Sequence, residues 1–353
     1  MERSIHVIGL SGVALLLAAT ASISAARADE IEDFYKGKTI TFVVGFAAGG
    51  GFDTYTRLIA RHFGKHVPGN PNVLVENKTG AGSLIAANYI YNQAPKDGTV
   101  IGSWIGPIVL QQVLGNKAAK LDGRKLGWLG VPTPDSGVCA LTKASGINTM
   151  DDWFKSKRPI KIGATAPGST TDDVPKLVQA ALGFPMNLVS GYKGTAKVRL
   201  AAESGEIDGG CWAWESIKPT WAKGLQSGEV QVVLQTTLKS HPDLKNVPLA
   251  IQYAKTDDAK ALLAVASGPY SQAARPYSVP PGVPQARLQL LQKAFMDTLR
   301  DPETLADAKK SKIDIDPTDG PTVAKLMADL YNLKPEFKAK LAKLLIPGAD
   351  KKK

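Results

Sequence analysis

Two glycine-rich turns carry the residue types best suited to hold an anion. Gly45-Phe46-Ala47-Ala48-Gly49-Gly50-Gly51 leads into Phe52-Asp53, and Gly80-Ala81-Gly82 leads into Ser83. Each turn follows a short apolar run and precedes a helical one. Glycine lets the backbone approach a ligand closely, and the bare N–H groups that open a helix gather at its positive end. A third turn, Thr165 to Thr171, sets small hydroxylated residues, Ser169 and Thr170 among them, ahead of another helix. The competing reading of the first turn is tight packing with no ligand.

Residue sets that make or break bonds do not stand out. No G-x-S-x-G elbow occurs, and the four histidines are His6, His62, His66 and His241. Nothing in their order singles out a Ser–His–Asp set. His62 and His66 stand four apart and could share a metal, but Phe63 occupies the position where a zincin has Glu. Two surface histidines is the simpler reading, and no metal or cofactor is expected. The first turn lacks the Lys-Ser/Thr ending of a phosphate loop, and Thr54 stands where a G-x-G-x-x-G counted from Gly49 needs its third glycine. Glu76 sits where a ribose-binding acid would, so a dinucleotide enzyme stays in competition.

The elements that position these turns alternate between strand and helix. Ile40 to Val44 reads as a buried strand, and Tyr55, Leu58, Ile59 and Phe63 form one face of the helix behind it. Asp53 falls where a helix start wants an acceptor. Val73 to Glu76 is a second strand, Leu84 to Tyr91 a helix with Ser83 as N-cap, and Thr99 to Trp104 a third strand. Val131-Pro132-Thr133-Pro134 reads as a crossing into a second lobe. There Ile160–Ala164, Leu188–Tyr192 and Ile207–Trp214 are strands, and Asp172–Leu182, Thr195–Glu203 and Glu215–Trp221 are helices. Val230 to Thr236 is an apolar strand suited to return to the first lobe. A Pro-rich loop, 268–284, then precedes a helix over Gln285–Arg300. The expected architecture is a two-lobed α/β clamshell, each lobe a mostly parallel sheet flanked by helices, joined by two crossing strands. Lobe 1 takes 29–131 and 237–353, and lobe 2 takes 132–236. Ligands on such sheets sit at the carboxyl ends of strands, and a hinge can enclose them.

At 353 residues the chain exceeds the usual single-domain size, and its formal net charge is +11. Arg3, an apolar run from Ile5 to Ala19 and Ala26-Arg27-Ala28 make a signal peptide with cleavage after Ala28, rather than a membrane anchor. Loss of Glu2, Arg3 and Arg27 takes the charge from +11 to +10. The Lys and Arg residues are spread along the chain without interleaved aromatics. They favour small anions over nucleic acid. Cys139 and Cys211 are the only cysteines. In an oxidising compartment they form a disulfide or remain two buried thiols.

Five ordered motifs resemble the periplasmic solute-binding proteins of tripartite tricarboxylate transporters, the Bug-type receptors. They are Ile40 to Phe46 with Gly49-Gly50-Gly51-Phe52-Asp53; Val75-Glu76-Asn77-Lys78 with Gly80-Ala81-Gly82-Ser83; Ala94 to Thr99; Gly191-Tyr192-Lys193-Gly194 with Gly205-Glu206-Ile207-Asp208; and Ser240 to Pro248. The resemblance covers almost the whole chain after the leader. It implies a periplasmic-binding-protein clamshell and a monomeric, non-enzymatic receptor. That receptor captures an organic acid and passes it to integral-membrane permease subunits. By position it implies Phe46, Ala47, Gly49 and Gly50, with Ser83, on one jaw, and Ala166, Gly168, Ser169, Thr170 and Tyr192 on the other. Trp104, at the end of the third strand, joins this set. The alternative is an exported α/β enzyme, a hydrolase or a dinucleotide-dependent one, using the same cleft.

Two departures bear on the ligand. Asp172 and Asp173 stand where the family often has His, and the last strand of the second lobe runs into Cys211-Trp212-Ala213-Trp214-Glu215-Ser216. Alternation puts Trp212 and Trp214 on one face of that strand, as core or as pocket wall. Trp214 is taken as the wall and Glu215 as its neighbour. The expected ligand then has an apolar or aromatic body, and Glu215 repels a second carboxylate.

Overall fold

The computed structural model describes residues 32–346 apart from Gly268, together with Gly348. The leader with its cleavage site after Ala28, and the tail Lys351-Lys352-Lys353, lie outside the described residues. Among the described residues no helix is long and apolar enough to cross a membrane.

The chain builds two sheets. The first runs β1 (Thr39–Val44), helix α1 (Gly51–Phe63), β2 (Asn72–Asn77), α2 (Leu84–Asn92), β3 (Val100–Ser103), α3 (Ile108–Val113) and β4 (Gly127–Val131). The second holds β5 (Gly137–Thr142), β6 (Ile160–Ala164), α4 (Thr170–Leu182), β7 (Met186–Ser190), α5 (Thr195–Glu203), β8 (Gly209–Ala213), α6 (Trp214–Thr220) and β9 (Val230–Gln235). After α7 (Asp257–Ser267) the chain rejoins the first sheet as β10 (Tyr277–Val279). Helix α8 (Gln285–Arg300), α9 (Pro302–Lys310) and β11 (Thr318–Asp319) follow.

Strand order is β11-β4-β10-β3-β1-β2 in the first sheet and β7-β6-β8-β5-β9 in the second. Both sheets are mixed, which corrects the expectation of mostly parallel ones. Among the described strands, parallel strand pairs are β2-β1-β3 and β7-β6-β8. Among β1–β3 and β6–β8, consecutive strands are joined through helices, the connection that a parallel pair requires. The strands beside the crossings, β4, β5 and β10, make only antiparallel pairs among the described strands.

The return crossing also differs from expectation. β9 pairs with β5 in the second sheet and does not lead back. Gln235 at its end is fully buried; its side-chain N–H donates to Leu244 and Val247 carbonyls and its Oε1 accepts from His241 N. That holds the following loop against β9, and α7 then packs on α4. The chain re-enters the first sheet only at β10, inside the stretch read as a Pro-rich loop. Three residues between Pro276 and Pro280 are too few to show a period, and pairing with β3 and β4 makes them a strand.

Helix α1 shows how the core fixes the site. Tyr55, Leu58, Ile59 and Phe63 are all fully buried, as their spacing requires. Phe63 meets Phe42 of β1 edge-on at 5.2 Å, and Phe42 meets Tyr277 of β10 at 5.9 Å. Each such side chain contributes roughly 1.5–3 kcal/mol by leaving water, and together they pin the N-terminus of α1 at the end of β1. Cys139 and Cys211 stand opposite one another on β5 and β8 and are joined by a disulfide with Cα atoms 4.0 Å apart.

Candidate functional site

The lobes touch along a continuous seam. Ala47 N donates to Lys193 O at 2.9 Å, and Gly51 N to Thr195 Oγ1 at 3.4 Å. Gly194 has φ +148, and a Cβ there would lie 3.0 Å from Ala47 N, so this glycine permits the close approach. Gln111 of α3 donates to Asp173 of α4 at 3.3 Å. At the far edge Lys218 of α6 binds both oxygens of Asp314 at 2.8 and 2.9 Å and also Asp243.

A cavity of about 30 Å³ lies inside this seam. Phe46, Phe52 and Ile105 line it from the first lobe, and Thr165, Thr170 and Trp212 from the second. Asp135, in the outgoing crossing, and Arg275, in the returning one, complete it. Arg275 is fully buried and gives Nε and Nη2 to Asp135 Oδ1 at 3.0 and 2.8 Å. Nη2 also donates to Ser216 Oγ at 2.9 Å. The guanidinium lies over the rings of Phe52 and Tyr55, 4.9 and 4.6 Å from their centroids. Nη1 is buried with no partner. Thr170 Oγ1 and Trp212 Nε1 share that condition, and both residues line the same cavity. Buried donors are nearly always paired, so three unpaired donors on one cavity mark a place built to receive acceptors.

The glycine turn does not supply these donors. Asp53 Oδ2 accepts from Gly49 N at 2.9 Å, and Gly50 N turns back to Ala47 O. Burial alone would raise the Asp53 carboxyl; hydrogen bonds from Arg57, Gly49 and Asn77 overcome it and hold the group below the usual carboxylate range. The N-terminus of α1 thus carries its own anion. Helix α4 does the same: Asp173 Oδ1 accepts from Gly168 N at 3.0 Å, and Asp172 pairs with Lys176 and accepts from Ser190 Oγ.

The hydroxyl turn is also largely spent. Ser169 Oγ donates to Ala166 O at 2.7 Å and accepts from Thr165 Oγ1 at 2.7 Å. Thr171 Oγ1 lies 2.9 Å from both of those hydroxyls and accepts from Thr165 N. The three hydroxyl protons are consumed within the cluster and Thr170 alone is left over.

Of the residues expected at the site, Phe46, Ser169 and Thr170 line the cavity. Ala47 and Gly50 lie instead on the seam, against Lys193 and Thr195, and Gly49 is bound to Asp53. Ala166 packs on Gly82 and Gly168 on Gln111, also along the seam. Ser83 stands at the start of α2 in a left-handed conformation, φ 72, without capping it; its Oγ accepts from Ile105 N. Trp104 is core, its Nε1 bound to Ser278. Tyr192 reaches outward to Glu206 at 2.5 Å. β8 ends at Ala213, so Trp214 opens α6 and no longer shares a face with Trp212. Trp214 Nε1 is bound to Asp243, while Trp212 lines the cavity and stacks on Trp221 at 5.7 Å. Glu215 lies buried behind the site, accepting from Ser136 N at 2.7 Å; burial and the adjacent Asp135 push it up to about 7.

Arg275 and Asp135 escaped the sequence reading. A signal existed: two segments crossing between the same lobes run side by side, and each carries one charge next to a proline, Ala273-Ala274-Arg275-Pro276 and Pro134-Asp135-Ser136-Gly137. His62 and His66, set aside as surface residues, pair with Asp307 and Asp301 of the segment at α9.

No protein-family model matches the chain. It is 30% identical over 202 residues to a UPF0065 protein of Agrobacterium vitis, encoded in the TAR-I ttuE-ttuC' intergenic region; the match covers 56% of this chain and 57% of that protein. Among solved structures it is similar to the periplasmic binding protein BugD, with TM-score 0.71 and 20% identity over 88% of this chain and 99% of that one. It is likewise similar to Rpa4515 of R. palustris, solved with adipate, with TM-score 0.69 and 20% identity over 87% and 98% of the two chains. The resemblance drawn from the motifs therefore agrees with both comparisons: in sequence the chain is similar to the UPF0065 proteins, and in fold it is the two-lobed clamshell of the Bug-type periplasmic binding proteins.

Proposed function

We propose that the chain is an exported receptor that closes its two lobes around an organic acid and hands it to integral-membrane permease subunits of the tripartite tricarboxylate type. The observation that carries this reading is the trio of unpaired buried donors, Arg275 Nη1, Thr170 Oγ1 and Trp212 Nε1, on one cavity between the lobes. They come from the return crossing and from two elements of the second lobe, the start of α4 and β8, and the first lobe covers them with Phe46, Phe52 and Ile105. A carboxylate supplies acceptors to all three at once, and charge-assisted bonds of this kind are the strong ones. Closure is stabilised by contacts at the seam, with Lys218 and Asp314 at its outer edge. Binding needs no bond to be made or broken. The chain exports through its leader and works in the periplasm. A thermal-shift screen against carboxylic acids, aromatic acids and NAD tests this: an unmodified acid raises Tm, by linkage, and is recovered intact. Turnover of that acid by the purified protein, or stabilisation by NAD alone, overturns it.

A further inference from the structure

We propose that the cleft selects a short acid bearing a single carboxylate on an apolar body, and that Arg275 sets this selection. The proposal rests on the receptor reading above and narrows its ligand.

Donors and acceptors in the cavity are unequal. Two of the unpaired groups, Arg275 Nη1 and Trp212 Nε1, can only donate, and the third, the Thr170 hydroxyl, can donate or accept. Asp135 Oδ1 takes two bonds from Arg275, and the Ser169 cluster closes on itself. A carboxylate gives acceptors to all three, whereas an ammonium leaves Arg275 Nη1 and Trp212 Nε1 unpaired and sets a second cation beside the guanidinium.

Charge sets the number of carboxylates. Among the described residues lining the cavity, Arg275 is the sole cation, and Asp135 already matches it. Glu215 stands behind them with further negative charge in reserve. One carboxylate can be held on Nη1, Thr170 and Trp212. A second would meet the rings of Phe46 and Phe52, 4.7 Å apart, or Ile105 and Ala213, with only the neutral hydroxyls of Thr195 and Ser216 beside them and no second cation among the described lining residues. Desolvating an ion against such a wall is heavily penalised.

Size limits the body. The cavity, about 30 Å³, compares with the roughly 10–15 Å³ that admits one water. With the lobes in this contact an acid of about two to four carbons fits, and a longer or aromatic one must part the seam.

The test is calorimetric titration of the full chain with propionate, succinate, β-alanine and propionamide. Propionate is expected to bind tenfold or more tighter than each of the others, the order of a lost charged hydrogen bond or an unpaired charge. Thr170→Val keeps shape and removes one donor; it is expected to weaken propionate about tenfold. Arg275→Gln is expected to weaken it by roughly a hundredfold. If that variant does not fold, the paired replacement Arg275→Met with Asp135→Leu removes the buried pair without leaving a lone charge, and is expected to lose propionate equally. Succinate or β-alanine binding as tightly as propionate, or Thr170→Val and the paired replacement leaving propionate unchanged, overturns the selection while the receptor reading stands. Failure of every acid tested, in a wider panel of mono- and dicarboxylates, overturns both.

Discussion

Arg275 spends two of its nitrogens on one oxygen of Asp135 and leaves the third without a partner. The pair joins the two segments that cross between the lobes, and the spare nitrogen belongs to the cavity they flank. One buried ion pair therefore serves as fastener and as receptor.

Breaking that pair should cost stability. Asp135→Ala strands the Arg275 charge in a fully buried setting and is expected to lose about 3–5 kcal/mol. Chemical denaturation measures it. Replacing both residues by apolar ones of similar volume is expected to recover most of the loss; no recovery would mean that the charge is not what destabilises the single variant.

Glu215 gives stability a pH signature. Its folded-state carboxyl is pushed up to about 7 by burial and by Asp135, above its ordinary value of 4.5. The folded chain then holds a proton that the unfolded chain has lost across that window. Stability therefore falls as pH rises from about 4.5 to 7, by an amount on the order of 3 kcal/mol. Arg275, Tyr55 and His241 also face this carboxylate. Thermal melts between pH 4.5 and 8 should show the slope in the native chain and a flatter profile in Glu215→Gln. Acid binding should tighten as pH falls through 7, because a second anion beside Glu215 favours its protonated form.

Gly51 controls how closely the lobes meet. A Cβ there would lie 1.9 Å from Ser216 Oγ in the opposite lobe. Gly51→Ala is expected to hold the cleft open, raising the radius of gyration in small-angle scattering and weakening ligand by tenfold or more. An unchanged radius together with unchanged affinity would show that the seam is not needed for binding.

The disulfide closes a separation of 72 residues between β5 and β8. Its loss through Cys139→Ser with Cys211→Ser is expected to reduce stability by about 4 kcal/mol in the chain-entropy picture. Equilibrium unfolding of the two forms reads this directly.

Much of the scaffold was legible because periodicity survives burial. Thr195–Glu203 and Gln285–Arg300 match their helices end to end. β10 was not legible: three residues between prolines become a strand only by pairing between β3 and β4. The site was harder for a related reason. A glycine turn ahead of a helix announces an anion, and it has one, the side chain of Asp53 four residues on. Sequence order does not show that a turn's donors are already used. Nor does it show that Arg275 and Asp135, 140 positions apart, meet. Trp212, and not Trp214, lines the cavity because β8 stops one residue early, at Ala213.

The most direct test is the structure of the protein with bound propionate. A carboxylate oxygen is expected within about 2.7–3.2 Å of Arg275 Nη1, with the second oxygen facing Thr170 Oγ1 or Trp212 Nε1. A carboxylate seated instead on the backbone N–H groups of Gly49 to Gly51, with Arg275 untouched, would contradict the assignment of the binding charge to the return crossing.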